Sequence, residues 1–69
     1  MNKDTFQGKW KEIKGKVKQK WGKLTDDDIT QINGSYDEME GRIQKAYGYQ
    51  KEQTQKEIND FLKKNGWDE

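Results

Sequence analysis

The chain has no cysteine, no histidine and no proline in its 69 residues. Without cysteine it can form neither a disulfide nor a thiolate metal site, which agrees with a reducing compartment. Without histidine as well, zinc is left with almost no ligands. No Ser–His or Cys–His pair can be assembled, and the hydroxyl residues fall at cap or helix positions, so the sequence points away from an enzyme. Apolar residues are scarce too, at 28% with a mean hydropathy of −1.55, and no uninterrupted apolar run is longer than Phe61-Leu62. A signal peptide and a membrane span are therefore excluded, and a soluble, cytoplasmic protein is expected. Nothing in the residues implies a cofactor.

Charge is abundant, at 39% of residues, and so are aromatics, with three Trp, three Tyr and two Phe. The aromatics recur at ordered spacings, which favours a small folded domain over a disordered chain. A single domain spanning 1–69 is expected, at the lower size limit for one hydrophobic core. Net charge is only +1, but residues 1–24 hold eight lysines against Asp4 and Glu12, a balance of +6, and the remainder carries −5. Such asymmetry either marks a contact with an anionic partner or is neutralised inside the fold.

Phe6, Trp10, Ile13, Val17, Trp21 and Leu24 recur at steps of three and four. That spacing predicts one helix over 4–21, with Asp4 and Gln7 at its start and Gly22 in the left-handed conformation at its end. Gly8 and Gly15 then face away from the core. Thr25-Asp26-Asp27-Asp28 reads as a capping box opening a short second helix anchored by Ile29 and Ile32. The calcium-loop alternative fails, because it needs glycine at position six and glutamate at twelve, where counting from Asp26 gives Gln31 and Asp37. Asn33-Gly34 stops this helix, and Ser35 with Glu38 caps a third carrying Tyr36, Met39, Ile43 and Tyr47, ended by Gly48. A fourth runs from about residue 50 to Lys64 with Thr54, Ile58, Phe61 and Leu62 inward, lacking a good N-cap. It closes with Asn65-Gly66-Trp67 folding back on Leu62.

Shifting the chain by 26 residues places GKWKEIKGKVKQKWG, Gly8 to Gly22, on GSYDEMEGRIQKAYG, Gly34 to Gly48. Glycines coincide three times and aromatics twice, while Lys11 and Lys14 become Asp37 and Glu40. The expected architecture is all-α: a compact four-helix bundle of two packed α-hairpins, approximately duplicated, one basic and one acidic. In that arrangement Trp10, Trp21 and Tyr36 are core, and the basic helix lies near Asp37, Glu40, Glu52 and Glu57. Packing gives no reason for the recurring glycines Gly8, Gly15, Gly34 and Gly41.

The candidate binding residues are Lys9, Lys11, Lys14, Lys16, Lys18, Lys20 and Lys23, which suit weak, unspecific contact with nucleic acid or anionic lipid. None is arginine, the commoner reader of base edges. WGKLTDDD, with GKVK before it and GRIQKAYGYQK after it, resembles the CsbD-like family of small bacterial general stress proteins. The resemblance covers almost the whole chain and implies a four-helix fold similar to sterile-alpha-motif-like domains, with expression in stress or stationary phase. It implies no catalytic or ligand residues. Seven glycines in 69 residues and the low hydropathy are also similar to the hydrophilin class of desiccation protectants. A non-enzymatic, monomeric stress-response protein that protects or interacts weakly is expected, with a basic-helix binding module as the alternative.

Overall fold

Asn2, not Asp4, starts the first helix. Its Oδ1 accepts the Thr5 N–H at 2.7 Å, and Asp4 instead lies in the first turn of α1 (Lys3–Gly8), near the positive end of the helix dipole. The computed structural model describes residues 2–67. The helix expected over 4–21 is two helices, because Lys9 at φ −100° and ψ 6° interrupts it and α2 runs Trp10–Lys20. Gly8, the weakest helix former in this stretch, immediately precedes the break. The bend brings the Phe6 and Trp10 rings to 5.7 Å between centroids.

Gly22 does not supply a left-handed ending to α2, since the glycines with positive φ among the described residues are Gly34, Gly48 and Gly66. Trp21 leaves the helix instead, at φ −115° and ψ 78°, with its N–H still donating to the Val17 carbonyl at 2.8 Å. This turn carries the indole inward to 4.9 Å from the Phe61 ring, edge-on.

The capping box forms as the sequence predicts. Thr25 Oγ1 accepts the Asp28 N–H at 3.1 Å and Asp28 Oδ2 accepts the Thr25 N–H at 2.8 Å, opening α3 (Asp26–Ile32). Asn33 then turns left-handed at φ 43°, followed by Gly34 at φ 85°. Ser35 Oγ accepts the Glu38 N–H at 3.2 Å at the head of α4 (Tyr36–Tyr47), but the Glu38 carboxylate turns to Arg42, so only half of the expected box is made. Gly48 at φ 72° ends α4. The last helix, α5 (Lys51–Lys64), has no side-chain cap at Gln50. Its far end is a full Schellman motif: Trp67 N–H donates to Leu62 O at 2.8 Å and Gly66 N–H to Lys63 O at 3.1 Å, with Gly66 at φ 78°.

The described residues are all-α, with five helices and no strand, measuring 28 × 24 × 19 Å. Element α4 is the central piece, packed on α5, α3 and α1. Met39 and Ile43 are its fully buried anchors, meeting Phe6, Trp10, Ile13, Val17, Trp21, Leu24, Ile32, Ile58, Phe61 and Leu62 in one core. Every residue of the first apolar stripe is therefore inside, Trp10 and Trp21 included. Tyr36, expected in the core, is only half-buried and stands edge-on to Phe6 at 5.6 Å.

Candidate polyanion-binding surface

The apolar stripe of α2 dictates where its lysines go. With Trp10, Ile13 and Val17 inward, a rotation of about 100° per residue puts Lys11, Lys14 and Lys18 on one flank and Lys9, Lys16 and Lys20 on the other. Glu12, Gly15 and Gln19 form the crest between the two rows, and Lys23 follows in the loop. The seven lysines thus make two rows and a straggler, not one dense face.

Three of the seven are engaged by the protein. Lys18 is ion-paired with Asp26 of α3, and Lys20 lies 3.6 Å from Glu57 of α5 with its ammonium 5.9 Å from the Trp21 ring centroid. Lys23 sits 5.1 Å above the Tyr47 ring, while its backbone N–H donates to the Tyr47 hydroxyl at 3.2 Å. Lys9 is half-buried at the helix break, and Lys11, Lys14 and Lys16 are exposed. Among the described residues none of these four has a carboxylate within ion-pair distance.

The internal neutralisation expected from the repeat takes a different route. Asp37 pairs with Lys3 at 3.0 Å, not with Lys11. Glu40, the counterpart of Lys14, is turned into the protein and only 8% exposed, with Oε2 lacking any hydrogen-bond partner. Of the four acids expected beside the basic helix, Glu57 pairs with it. Glu40 turns inward because Tyr36, Glu40, Ile43 and Tyr47 share a face of α4 at helical spacing, and that face is anchored in the core by Ile43, with Tyr36 and Tyr47 packed against it.

The lone arginine was not legible as a site residue. Arg42 Nη1 donates to Asp28 Oδ1 at 2.7 Å and Nε to Glu38 Oε2 at 2.7 Å, tying α3 to α4. Glu38 and Arg42 stand four apart, the spacing of a helical ion pair, so half of this bridge was visible in the sequence. The Asp28 carboxyl is held below the usual aspartate value by the Thr25 backbone N–H first and by Arg42 next. Burial pushes the Tyr36 phenol up, with smaller contributions from the Glu40 and Asp37 carboxylates. Two of the three consecutive aspartates are thus held by protein partners, and among the described residues no cluster of three or more potential ligands could hold a metal ion.

Trp10 and Trp21 are 8% and 2% exposed, which rules them out as a platform for stacking bases. No large hydrophobic side chain is exposed among the described residues, and no helix there is long and apolar enough to cross a membrane. The basic surface offers charge without apolar contact.

A profile of the CsbD-like family matches residues 4–56, ending within α5. The chain is 58% identical over 65 residues to the UPF0337 protein pc0632 of Protochlamydia amoebophila, covering 94% of this chain and 98% of the relative. It is 57% identical over 65 residues to the UPF0337 protein YjbJ of Escherichia coli, covering 94% of each. The YjbJ protein of Salmonella typhimurium is 54% identical over 67 residues, with 97% of this chain and 96% of the relative covered. No solved structure matches the chain. A family match over most of its length, with relatives of the same size at more than half identity, places the chain in the CsbD-like family.

Proposed function

We propose that this CsbD-like protein is a non-enzymatic stress-response protein of the bacterial cytoplasm, monomeric, acting through abundance and a hydrated, charge-dense surface. One observation carries the reading: the fold leaves no large hydrophobic exposed among its described residues and turns lysines and most carboxylates outward. Such a surface remains hydrated and resists association when water is withdrawn or solutes concentrate. The family relationship supports a role in stress, and the UPF0337 relatives are similarly small.

The finer architecture belongs to the same proposal. We read α2–α3 and α4–α5 as two related hairpins, akin to a sterile-alpha-motif-like arrangement, with α1 as an added turn. Support comes from α2 beginning at Trp10 and α4 at Tyr36, 26 residues apart, as the sequence repeat requires.

The test is protection of a labile enzyme through drying and rehydration. The protein should preserve more activity than an equal mass of a folded control of matched net charge. Equal recovery with the control would remove the protective reading.

A further inference from the structure

Lys9, Lys11, Lys14 and Lys16 stand out because none of them has a carboxylate within ion-pair distance among the described residues, and the repeat counterparts of Lys11 and Lys14 are paired elsewhere or buried. We propose that the solvent face of α2 docks on the phosphate backbone of duplex nucleic acid, by charge and without reading bases. Lys9 and Lys16 are two turns apart on one flank, about 10.5 Å along the axis, and Lys11 and Lys14 are one turn apart on the other, about 4.5 Å. Between the rows the crest is low at Gly15, where a β-carbon would meet nothing within 4 Å. Two parallel rows of point charges astride a low ridge suit a surface with two phosphate rails better than a single small anion.

The same residues limit the partner. An ammonium lacks the planar fork that reads guanine, and α2 has no arginine, so sequence preference is not expected. Burial of Trp10 and Trp21 removes the two aromatic rings of this stretch as a stacking platform for single strands. A lipid surface would receive charge alone, because no exposed apolar side chain is available to insert among the described residues. Glu12 on the crest is the acid of α2 itself and should weaken the contact, as should Glu57 and Asp60 of α5, which line one groove with Lys16.

The experiment titrates the full chain into a fluorescent duplex of mixed sequence and reads anisotropy. Four phosphates neutralised give a slope near −3.6 in log K against log salt, so affinity should fall roughly 100-fold between about 50 and 200 mM NaCl. Replacing Lys9, Lys11, Lys14 and Lys16 together by glutamine should weaken binding by about tenfold or more at low salt, with a circular-dichroism melt no lower than that of the parent. The same exchange at the exposed Lys45, Lys51, Lys56 and Lys63 changes net charge equally and should largely preserve binding. Glu12→Gln should tighten it. No binding at low salt, equal loss in both quadruple variants, or tighter binding to phosphatidylglycerol vesicles than to duplex at matched phosphate would each overturn the proposal.

Discussion

Glu40 shows how a single residue escapes a pattern. As the counterpart of the exposed Lys14 it reads as a surface acid, yet the structure leaves it 8% exposed with one oxygen unpartnered. A buried polar atom without a partner costs about 1–3 kcal/mol, so Glu40→Met, which keeps the length of the side chain, should stabilise by roughly 1 kcal/mol or more. A lower melting temperature would mean that the carboxylate has a partner in solution. Trp21→Ala is the opposite case: the ring is buried against Phe61, and its loss should cost about 3–5 kcal/mol by thermal or urea melting. The glycines divide in the same way. Gly15 and Gly41 have helical backbone and open space, so alanine at either should stabilise by about 0.5–1 kcal/mol. Gly34 has φ +85° and a β-carbon there would approach Gln7 Cγ at 3.2 Å and Trp10 Cβ at 3.4 Å, so Gly34→Ala should destabilise. All six residues of the first apolar stripe were legible because burial follows a helical period. Glu40 was not, because the period places a residue on a face without saying how much of that face a neighbouring helix covers.

Among the elements, helix ends were legible where side-chain chemistry fixes them. The Thr25 box, the Asn33-Gly34 stop and the Asn65-Gly66-Trp67 ending each need particular residues. The break at Lys9 needs none, since a lysine can sit inside or outside a helix. The repeat held the missing signal: α4 begins at Tyr36, and its counterpart is Trp10. Removing the box with Thr25→Ala should cost about 1 kcal/mol. The same element sets an acid response. Because the folded Asp28 carboxyl titrates below the ordinary value of 3.8, the unfolded chain binds the proton more readily. Its contribution is therefore fully present above that value and is lost as pH falls through the lower folded one. Arg42→Gln should raise the Asp28 titration midpoint, followed by NMR, while the Thr25 N–H keeps part of the depression. An unmoved midpoint would show that the arginine bridge is not made in solution.

At the scale of the whole molecule, the charge division is settled among the described residues at a few points, Lys3–Asp37, Lys18–Asp26 and Lys20–Glu57. The sequence displayed the imbalance between the halves but not which acids would meet which lysines, because pairing depends on side-chain direction across helices. Exchanging Lys3 and Asp37 by charge reversal at both positions should therefore recover stability lost in either single reversal, by up to about 1 kcal/mol. The same double reversal at Lys11 with Asp37 should recover nothing. The unpaired lysines of α2 act on stability in the other direction. Lys14 stands four residues before Lys18, and Lys16 four before Lys20, spacings at which like charges on a helix oppose each other by about 0.2–0.5 kcal/mol per pair. Neutralising Lys14 and Lys16 to glutamine should raise stability in low salt by about 0.5–1 kcal/mol in total. At about 1 M salt the screening length shrinks to roughly 3 Å, and the gain should vanish. A gain that persisted in high salt would come from something other than repulsion. Destabilisation in low salt would mean that these two lysines hold acids in solution, and the charge of the first half would then be satisfied within the fold with little left for a partner.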